Sequence, residues 1–336
     1  MGSRDRKTVA ELVYGYFRLG FNQFKNIEER ILAGLFAGNH LAEMAGYFKE
    51  KHSNIREYAI DKIFPWNSLL SDCIDPGAFA SSFLKQPDLF IRIRPGKEID
   101  TIKKLDASRI PYSKFSDGCI GLPNSTKIST ILKINEEAVI QDKSSQQTGS
   151  LIKNLRISNV WDCCAASGGK SIMVYDLYND IDLTVSDVRE SIISTLKARL
   201  KEAGIMNYHS FIIDLSHPNT KLPEREYDLI IADVPCTGSG TWSRTPEQLY
   251  FFKEQKISFY TRLQQQIIDT VLTKLRPGGN FIYITCSVFK QENEDIVEYI
   301  LSNSNIRLVK KELIKGYEQR ADTMFAALFR NAPVSE

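Results

Sequence analysis

Two cysteines are the side chains of this sequence best suited to covalent chemistry. Cys236 closes the segment Asp233-Val234-Pro235-Cys236, and Cys286 is the centre of Thr285-Cys286-Ser287. A thiolate is a strong nucleophile when its surroundings lower its pKa or remove its proton. If the fold brings the two sulfurs together, the pair predicts covalent catalysis on one shared ligand.

A glycine-rich segment precedes both cysteine segments in the chain. It reads Asp162-Cys163-Cys164-Ala165-Ala166-Ser167-Gly168-Gly169-Lys170 and lacks side-chain bulk where a strand is expected to pass into a helix. Backbone amides can approach a ligand closely at such a turn. It is not the G-x-G-x-x-G of dinucleotide sites, and Cys164 stands where a phosphate-binding loop needs its first glycine. A purely structural turn would carry the same glycines.

The elements around these segments predict an α/β fold. Each segment follows an apolar run typical of a strand, over residues 157–161, 227–232 and 279–284. Strands and helices alternate from residue 151 onward, which predicts a doubly wound parallel sheet. The C-terminal ends of its strands would then meet in one crevice.

The helix and strand boundaries after Cys236 are predicted from breakers and apolar runs. A long helix is expected over residues 247–275, where Pro277-Gly278-Gly279 would end it. A last apolar strand is expected over residues 323–329.

Breaks in the pattern divide the chain into three regions. Residues 1–84 predict a helical N-terminal region, 85–150 a small α+β unit, and 151–336 the α/β domain. Of all residues, 43% are hydrophobic and 25% charged, which is ordinary for a globular protein. No apolar run approaches the length of a bilayer span, and no signal-peptide core follows the N-terminus. The sequence therefore predicts a cytoplasmic protein without membrane contact, and we expect a monomer.

Cysteine and histidine spacing gives no indication of a metal site. The six cysteines form no C-x-x-C pair, and the four histidines are not spaced as zinc ligands. We interpret Cys73, Cys119 and Cys163 as small apolar residues of the interior.

The charge pattern excludes a broadly basic surface. The net charge is only +2 at pH 7, so any nucleic-acid surface must be local. The best candidate lies between residues 85 and 153, where Arg92, Arg94 and Lys97 belong to a basic cluster; Arg244 offers a second location. The same charges would also suit a solvated face.

In their order along the chain, the three segments resemble the motifs of the RNA 5-methylcytosine methyltransferases that use S-adenosylmethionine. This family includes a bacterial ribosomal RNA enzyme and its eukaryotic nucleolar relatives. Its motifs read roughly Asp-x-Cys-Ala-Ala-Pro-Gly-Gly-Lys, Asp-x-Pro-Cys and Thr-Cys-Ser, and Ser167 replaces the proline of the first. Further matches are residues 139–146, the segment Glu292-Asn293-Glu294 and residues 322–325.

The resemblance implies a Rossmann-like class I methyltransferase sheet and a covalent mechanism. It assigns Cys286 the attack on carbon 6 of a cytosine, which makes carbon 5 able to take a methyl group. It assigns Cys236 to the later elimination of the enzyme thiol. Asp233 would contact the ring near N3, and Lys170 would steady that carboxylate or the base.

The resemblance also implies where S-adenosylmethionine would bind. Asp187 would hold the ribose, and Asp214 would lie beside the adenine. Asp162 would support the glycine-rich turn, and Asp233 borders the same site. The turn itself would wrap the methionine end, through Cys164, Ala165, Ala166, Ser167, Gly168, Gly169 and Lys170.

RNA is the partner that the resemblance implies, and a separate N-terminal region favours ribosomal RNA over transfer RNA. Its expected contacts are Arg92, Arg94, Lys97 and Arg244. A non-catalytic RNA-binding or ribosome-assembly factor with the same fold is the alternative of another class. A DNA cytosine-5 methyltransferase would use Cys236 as nucleophile, but Thr237 stands where that family expects Gln, and Thr285-Cys286-Ser287 would stay unexplained. An amino-group methyltransferase would want aromatic stacking that the Asp233 segment does not provide.

Overall fold

The computed structural model describes residues 2–38, 42–51, 57–115, 118–217 and 220–332. The N-terminal part of these residues is helical, with α1 (Ser3–Arg18), α2 (Ile27–Ala37), α3 (Ala42–Lys51) and α4 (Pro76–Ser82). Asn26 and Asp75 cap α2 and α4, because their side chains accept hydrogen bonds from backbone N–H groups three residues later. Gly15 and Gly34 let α1 and α2 cross in close contact: a β-carbon at Gly34 would lie 2.5 Å from the Gly15 carbonyl oxygen.

The segment between α3 and the small sheet docks on the α/β domain through aromatic rings. Phe64 and Trp66 pack with Trp242, Phe252 and Phe289 in one buried cluster. The Trp66 and Phe252 ring centroids are 4.9 Å apart, nearly perpendicular, and such edge-to-face pairs add to the hydrophobic gain. The helical N-terminal region is therefore not an independent appendage.

The small α+β unit is an antiparallel sheet in the order β2-β3-β1-β4. Its core is formed by Ile91, Leu105, Ile120 and Leu122. Two short helices then lead into the larger domain. The bounds are β1 (Leu89–Ile93), α5 (Glu98–Ser108), β2 (Ser113–Lys114), β3 (Cys119–Leu122), β4 (Ala138–Ile140), α6 (Lys143–Gln147) and α7 (Gly149–Ile152).

The α/β domain is built on a sheet whose described strands run in the order β10-β11-β9-β8-β5-β6-β7. The bounds are β5 (Asn159–Asp162), α8 (Gly169–Tyr178), β6 (Asp182–Asp187), α9 (Glu190–Glu202), β7 (Tyr208–Ile212), β8 (Tyr227–Asp233), α10 (Glu247–Phe251), α11 (Gln255–Leu272), β9 (Leu275–Thr285), α12 (Glu294–Asn303), β10 (Ile306–Ile314) and β11 (Met324–Asn331). The strand order reverses between β5 and β8, so a crevice opens at their C-terminal ends.

Both faces of this sheet are covered, which explains its continuous apolar strands. Leu229 and Ile231 of β8 belong to one core cluster, whereas Ile230 and Tyr227 belong to the cluster on the opposite face. Parallel strands covered on both faces carry apolar side chains at successive positions. The predicted α/β class is therefore confirmed.

The structure differs from the sequence expectations in three places. The sheet is mixed rather than parallel, because β11 pairs antiparallel with both β9 and β10. The helix expected over residues 247–275 is interrupted at Phe252, which turns into the aromatic cluster in extended conformation. Strand β9 begins at Leu275, before the Pro277-Gly278-Gly279 expected to end the helix. No helix among the described residues is long and apolar enough to cross a bilayer.

Candidate active site

The two cysteines meet at the ends of neighbouring parallel strands. β8 ends at Asp233 and β9 at Thr285, and Asp233 is paired with Ile284 in the sheet. Cys236 and Cys286 follow within three residues and bring their sulfurs to 3.3 Å. Both side chains are partly exposed to the crevice. Two sulfurs at this distance can share one proton and contact the same part of one substrate.

The environment keeps Cys236 in its thiol form. Its hydrogen bond to Cys286, its burial, and the nearby charges of Cys286 and Glu292 raise the pKa of Cys236 well above its usual value. A thiol that stays protonated can donate to the neighbouring sulfur. The hydrogen bond joins the two sulfurs into one unit, in which either cysteine can be the donor.

A buried ion pair lies beside the cysteines. Lys170 on α8 donates from Nζ to Asp233 Oδ2 at 2.6 Å and to Ser145 Oγ at 3.3 Å. Burial lowers the pKa of Lys170, but the charge and hydrogen bond of Asp233, with the charges of Asp162 and Cys286, outweigh that effect and raise it. Lys170 is therefore a fixed cation at neutral pH.

Asp162 at the end of β5 is a fully buried carboxyl group. Its Oδ2 accepts a hydrogen bond from Ser171 Oγ at 2.6 Å, whereas Oδ1 has no partner. Burial is the largest cause that raises the pKa of Asp162 to about 7, and the negative charge of Asp233 adds to it. This buried oxygen is thus able to accept one further hydrogen bond.

The glycine-rich turn has the backbone shape of a ligand cradle. Ala166 and Gly168 have φ of 45° and 86°, and a β-carbon at Gly169 would meet nothing within 4 Å. Ala166 N–H donates to Asp187 Oδ2 at 3.1 Å. The open space over Gly169 lets a ligand approach the turn. Asp187 at the end of β6 holds the backbone of the turn at Ala166.

Ser167, the departure from the family motif, is held by a residue that sequence reasoning missed. Arg199 on α9 donates from Nη1 to Ser167 O at 2.8 Å and to Ser167 Oγ at 2.7 Å. In the family motif a proline ring would restrict φ at this position. Here the two hydrogen bonds from Arg199 hold the turn instead. The available sequence signal was a basic residue in the last turn of an amphipathic helix.

The two carboxylates expected at the cofactor lie at strand ends with local partners. Asp187 ends β6 and accepts from Arg189 N and Nε at 3.0 and 3.1 Å. The Arg189 side chain is 59% exposed, so this pair can exchange for ligand hydroxyls. Asp214 is exposed; hydrogen bonds from the side chain and backbone of Ser216 lower the pKa of its carboxyl.

Glu292 joins the two cysteine turns, and its role was also missed. Its buried carboxylate accepts from Thr237 N at 2.9 Å, Thr237 Oγ1 at 2.6 Å and Ser287 Oγ at 2.5 Å. Gln264 Nε2 donates to the same carboxylate at 3.2 Å and to Pro235 O at 3.0 Å. Thr237 and Ser287 directly follow the cysteines. The acid in the Glu292-Asn293-Glu294 match was the available signal.

Three of the four basic residues expected to contact RNA are held in ion pairs, which corrects the expectation that they form an open basic surface. Arg92 and Arg94 both pair with Asp176, at 2.6 and 2.7 Å, and their side chains are 9% and 14% exposed. Arg244 is held by two carboxylates, at 2.6 and 2.7 Å. Buried ion pairs of this kind join parts of the fold. Lys97 alone is exposed.

The part of the chain that the structure describes contains no group of three or more His, Cys, Asp or Glu side chains placed to hold a metal ion. Cys163 and Cys119 are buried. Cys73, expected in the interior, is exposed, which contradicts that expectation.

Comparison with known proteins gives a family model and structural neighbours. The model of the 16S rRNA methyltransferase RsmB/F family matches residues 151–331. Ribosomal RNA small subunit methyltransferase B of Salmonella paratyphi A is 30% identical over 165 residues, which are 49% of this chain and 38% of that protein. The chain thus matches less than half the length of this curated relative.

Solved structures share the fold over a longer stretch. A methyltransferase homolog protein from Pyrococcus horikoshii aligns with a TM-score of 0.65 at 21% identity, covering 76% of this chain and 90% of that one. NSun6 from Pyrococcus horikoshii, solved with SFG, has a TM-score of 0.66 at 14% identity over 78% of this chain and 94% of that one. At such identities the likeness shows the fold alone.

Proposed function

Because the chain belongs to the 16S rRNA methyltransferase RsmB/F family, we propose that it transfers a methyl group from S-adenosylmethionine to carbon 5 of a cytidine in RNA. Ribosomal RNA is the proposed substrate class. The observation that carries the proposal is the pair of sulfurs, 3.3 Å apart, beside the Lys170–Asp233 ion pair. A structural role would not require two thiols and a buried cation at one crevice.

The residues around the turn suit S-adenosylmethionine, which supplies an electrophilic methyl group on a sulfonium. Asp187 at the end of β6 is placed to accept hydrogen bonds from ribose hydroxyls. The unpartnered Asp162 Oδ1 can accept from an amino group. The open space over Gly169 leaves room for the methionine end. Asp214 would lie beside the adenine.

The first step is addition of the Cys286 thiolate to carbon 6 of the cytosine. The new S–C bond pushes electron density toward carbon 5, which becomes the nucleophile. Lys170 has three N–H donors, of which Asp233 and Ser145 use two. The remaining Lys170 donor stabilises the negative charge that develops near N3, and Asp233 beside the ring holds the ammonium group in place.

The second step removes a proton and releases the enzyme. After methylation, Cys236 releases its own proton to solvent and, as a thiolate, takes the proton from carbon 5. The S–C6 bond then breaks, and its electrons return to Cys286 as a thiolate. Once Cys286 is bonded to carbon it is no longer an anion. The hydrogen bond and the charge of Cys286, two of the causes that raise the pKa of Cys236, are therefore lost at the stage when Cys236 must act as a base.

The test is methyl transfer from labelled S-adenosylmethionine by the purified protein, with ribosomal and transfer RNA as parallel substrates. We expect 5-methylcytidine after nuclease digestion of the ribosomal RNA, and bisulfite sequencing of RNA from a deletion strain to locate the base. Binding of RNA without label transfer would favour the non-catalytic factor. Label on the exocyclic amino group would overturn the carbon 5 chemistry, and label in transfer RNA alone would overturn the substrate class.

A further inference from the structure

A cavity lies between the small α+β unit and the α/β domain, apart from the cysteines. Its volume is about 460 Å³, within the range of small-molecule sites. Lining residues include Arg92 and Phe115 from the small unit, Lys143 from α6, Ser150 from α7, Lys153, and Met173 from α8. None of the side chains assigned to catalysis or to the cofactor lines it.

The lining of this cavity combines cations with an apolar wall. Arg92, Lys143 and Lys153 are set against Glu98 and Asp176. Asp176 is already shared between two guanidinium groups, those of Arg92 and Arg94, so the surroundings stay positive. Buried Arg92 Nη2 has no hydrogen-bond partner.

Guanidinium groups match the oxygens of phosphate. The apolar wall is formed by Phe115 and Met173, and Lys143 Nζ lies 5.3 Å from the Phe115 ring centroid. A cation beside an aromatic ring is the combination that binds a phosphate together with a stacked base.

A continuous set of hydrogen bonds connects this cavity with the catalytic ion pair. Arg92 Nε donates to Gln141 Oε1 at 2.9 Å, and Gln141 Nε2 donates to Ser145 Oγ at 3.2 Å. Lys170 Nζ donates to the same Ser145 Oγ at 3.3 Å and to Asp233 at 2.6 Å. A ligand that contacts Arg92 is thus two side chains away from Lys170.

We propose that this cavity binds a phosphate-bearing nucleotide, with Arg92 and Lys143 binding the phosphate and Phe115 packing on the base. An RNA strand and a free nucleotide both offer this chemistry. The RNA source rests on the proposed function, whereas the free-nucleotide source does not. In either case the bound phosphate is connected with Lys170 by the hydrogen bonds of Arg92, Gln141 and Ser145.

The test uses Ser150, an exposed residue at the cavity. Ser150→Glu adds a negative charge there, Ser150→Gln is the neutral control of similar size, and Ser194→Glu adds the same charge on the exposed face of α9. The probes are cytidine 5′-monophosphate and a short single-stranded RNA. We expect Ser150→Glu to weaken binding by about ten-fold, equal to about 1.4 kcal/mol, with both controls at the wild-type value.

Lys143→Ala is the second variant, because it removes a cation instead of adding an acid. It should weaken binding in the same direction and, for RNA, reduce the slope of log affinity against log salt by about 0.7. Unchanged binding of S-adenosylhomocysteine by each variant would show that the fold is intact.

The outcomes separate the two sources. Weaker binding of both probes to Ser150→Glu identifies a pocket that accepts free nucleotide, and weaker binding of RNA alone identifies a strand subsite. Equal affinity of Ser150→Glu and Ser150→Gln for both probes overturns the cavity as a nucleotide site. Binding is measured without methyl transfer, so a protein that fails to methylate RNA would leave this result standing.

Discussion

The two sides of the crevice differ in how completely they are assembled. Around the cysteines, Glu292 bonds to the side chain of Thr237 and Lys170 to that of Asp233, in short hydrogen bonds that join different elements. On the cofactor side, Asp187 and Asp214 bond mainly to residues two positions away in the chain, and Asp162 keeps one oxygen without a partner. The nucleophile side is preorganised, whereas the cofactor side must exchange partners.

This difference follows from the chemistry each side performs. Thiol addition needs sulfur, cation and carboxylate fixed within a fraction of an ångström, which long-range hydrogen bonds provide. A cofactor that is replaced after every turnover is better served by local partners that are released at small cost. Substitutions on the cysteine side should therefore change the rate, and those on the cofactor side the affinity for the cofactor.

The largest effect should come from the preorganised side. Cys286→Ala removes the atom that forms the covalent bond, so methyl transfer should fall by roughly 10⁴-fold or more. Binding of S-adenosylhomocysteine by calorimetry should stay within a few-fold of wild type, because the cofactor side is untouched. Cys73→Ala, at an exposed cysteine outside the crevice, is the control. Turnover retained by the pure Cys286 variant would remove that residue from the mechanism.

Cys236→Ala should stop the reaction later. Addition and methylation can proceed, but no Cys236 thiolate is present to accept the proton from carbon 5, so the enzyme stays bonded to RNA. We expect a slowly migrating protein–RNA species on denaturing gels that survives reductant, and none with Cys236→Ala/Cys286→Ala. The absence of any such species would contradict the assignment of Cys236 to the elimination step.

Glu292→Gln should damage catalysis without removing a reacting group. A carboxamide has one acceptor oxygen, so it cannot accept all the N–H and O–H donors of Thr237, Ser287 and Gln264. We expect kcat to fall by roughly 10² at an unchanged KM for the cofactor. The loss of negative charge should also lower the pKa of Cys236, measured as an acid shift in its alkylation profile by mass spectrometry.

Glu294→Gln is the matched control for that position. Glu294 is also buried, but its carboxylate accepts from Ser71 rather than from the cysteine turns. Equal losses of kcat in the two variants, with no shift in Cys236 alkylation, would show that Glu292 only stabilises the fold and does not position the cysteines.

The cofactor side should respond in affinity rather than in rate. Asp187→Ala removes charge-assisted hydrogen bonds worth about 1.5 to 3 kcal/mol, so affinity for S-adenosylhomocysteine should fall by roughly ten-fold or more. Asp182→Ala, at the other end of the same strand and paired with Arg225, should bind normally. An unchanged Kd for Asp187→Ala in calorimetry would place the ribose elsewhere.

The smallest effect concerns Asp162 and pH. Its pKa is raised from 3.8 to about 7, so the folded state binds the proton more tightly and this contribution to stability is lost as pH rises through 7. Between pH 6 and 8 the wild type should lose about 1.4 kcal/mol of unfolding free energy relative to Asp162→Asn. Urea titrations at both pH values measure this, and parallel changes in the two proteins would contradict it.

The sequence predicted the elements that bear the site because their signals are local. Apolar runs ending in Asp162, Asp233 and Thr285 specify strands, and parallel pairing brings their ends together. Strand β10 was missed, since residues such as Lys310, Lys311 and Glu312 interrupt its apolar pattern. Such charges are typical of an edge strand, and only its partner β11 identifies it.

Contacts between distant elements could not be predicted in the same way. Arg92 and Arg94 read as a basic surface because nothing nearby in the chain reveals Asp176, more than 80 residues later. Glu292 and Arg199 act through turns on other elements. The role of a residue within a motif can be predicted from its neighbours in the sequence. A residue that connects two motifs can be identified only from contacts in the folded structure.

The aromatic cluster around Trp66 and Phe289 joins the N-terminal segment to the α/β domain, so it determines which parts of the chain unfold as one unit. Ser71 N–H donates to Val288 O at 2.8 Å, and Asn293 Nδ2 donates to Ser71 Oγ at 2.8 Å, so this N-terminal stretch is bonded to the loop just after Cys286. A fragment cut at residue 151 would expose these rings to water and release the nucleophile loop. The polypeptide before the α/β domain is thus packed against the region that carries the chemistry, and we expect the two to unfold together.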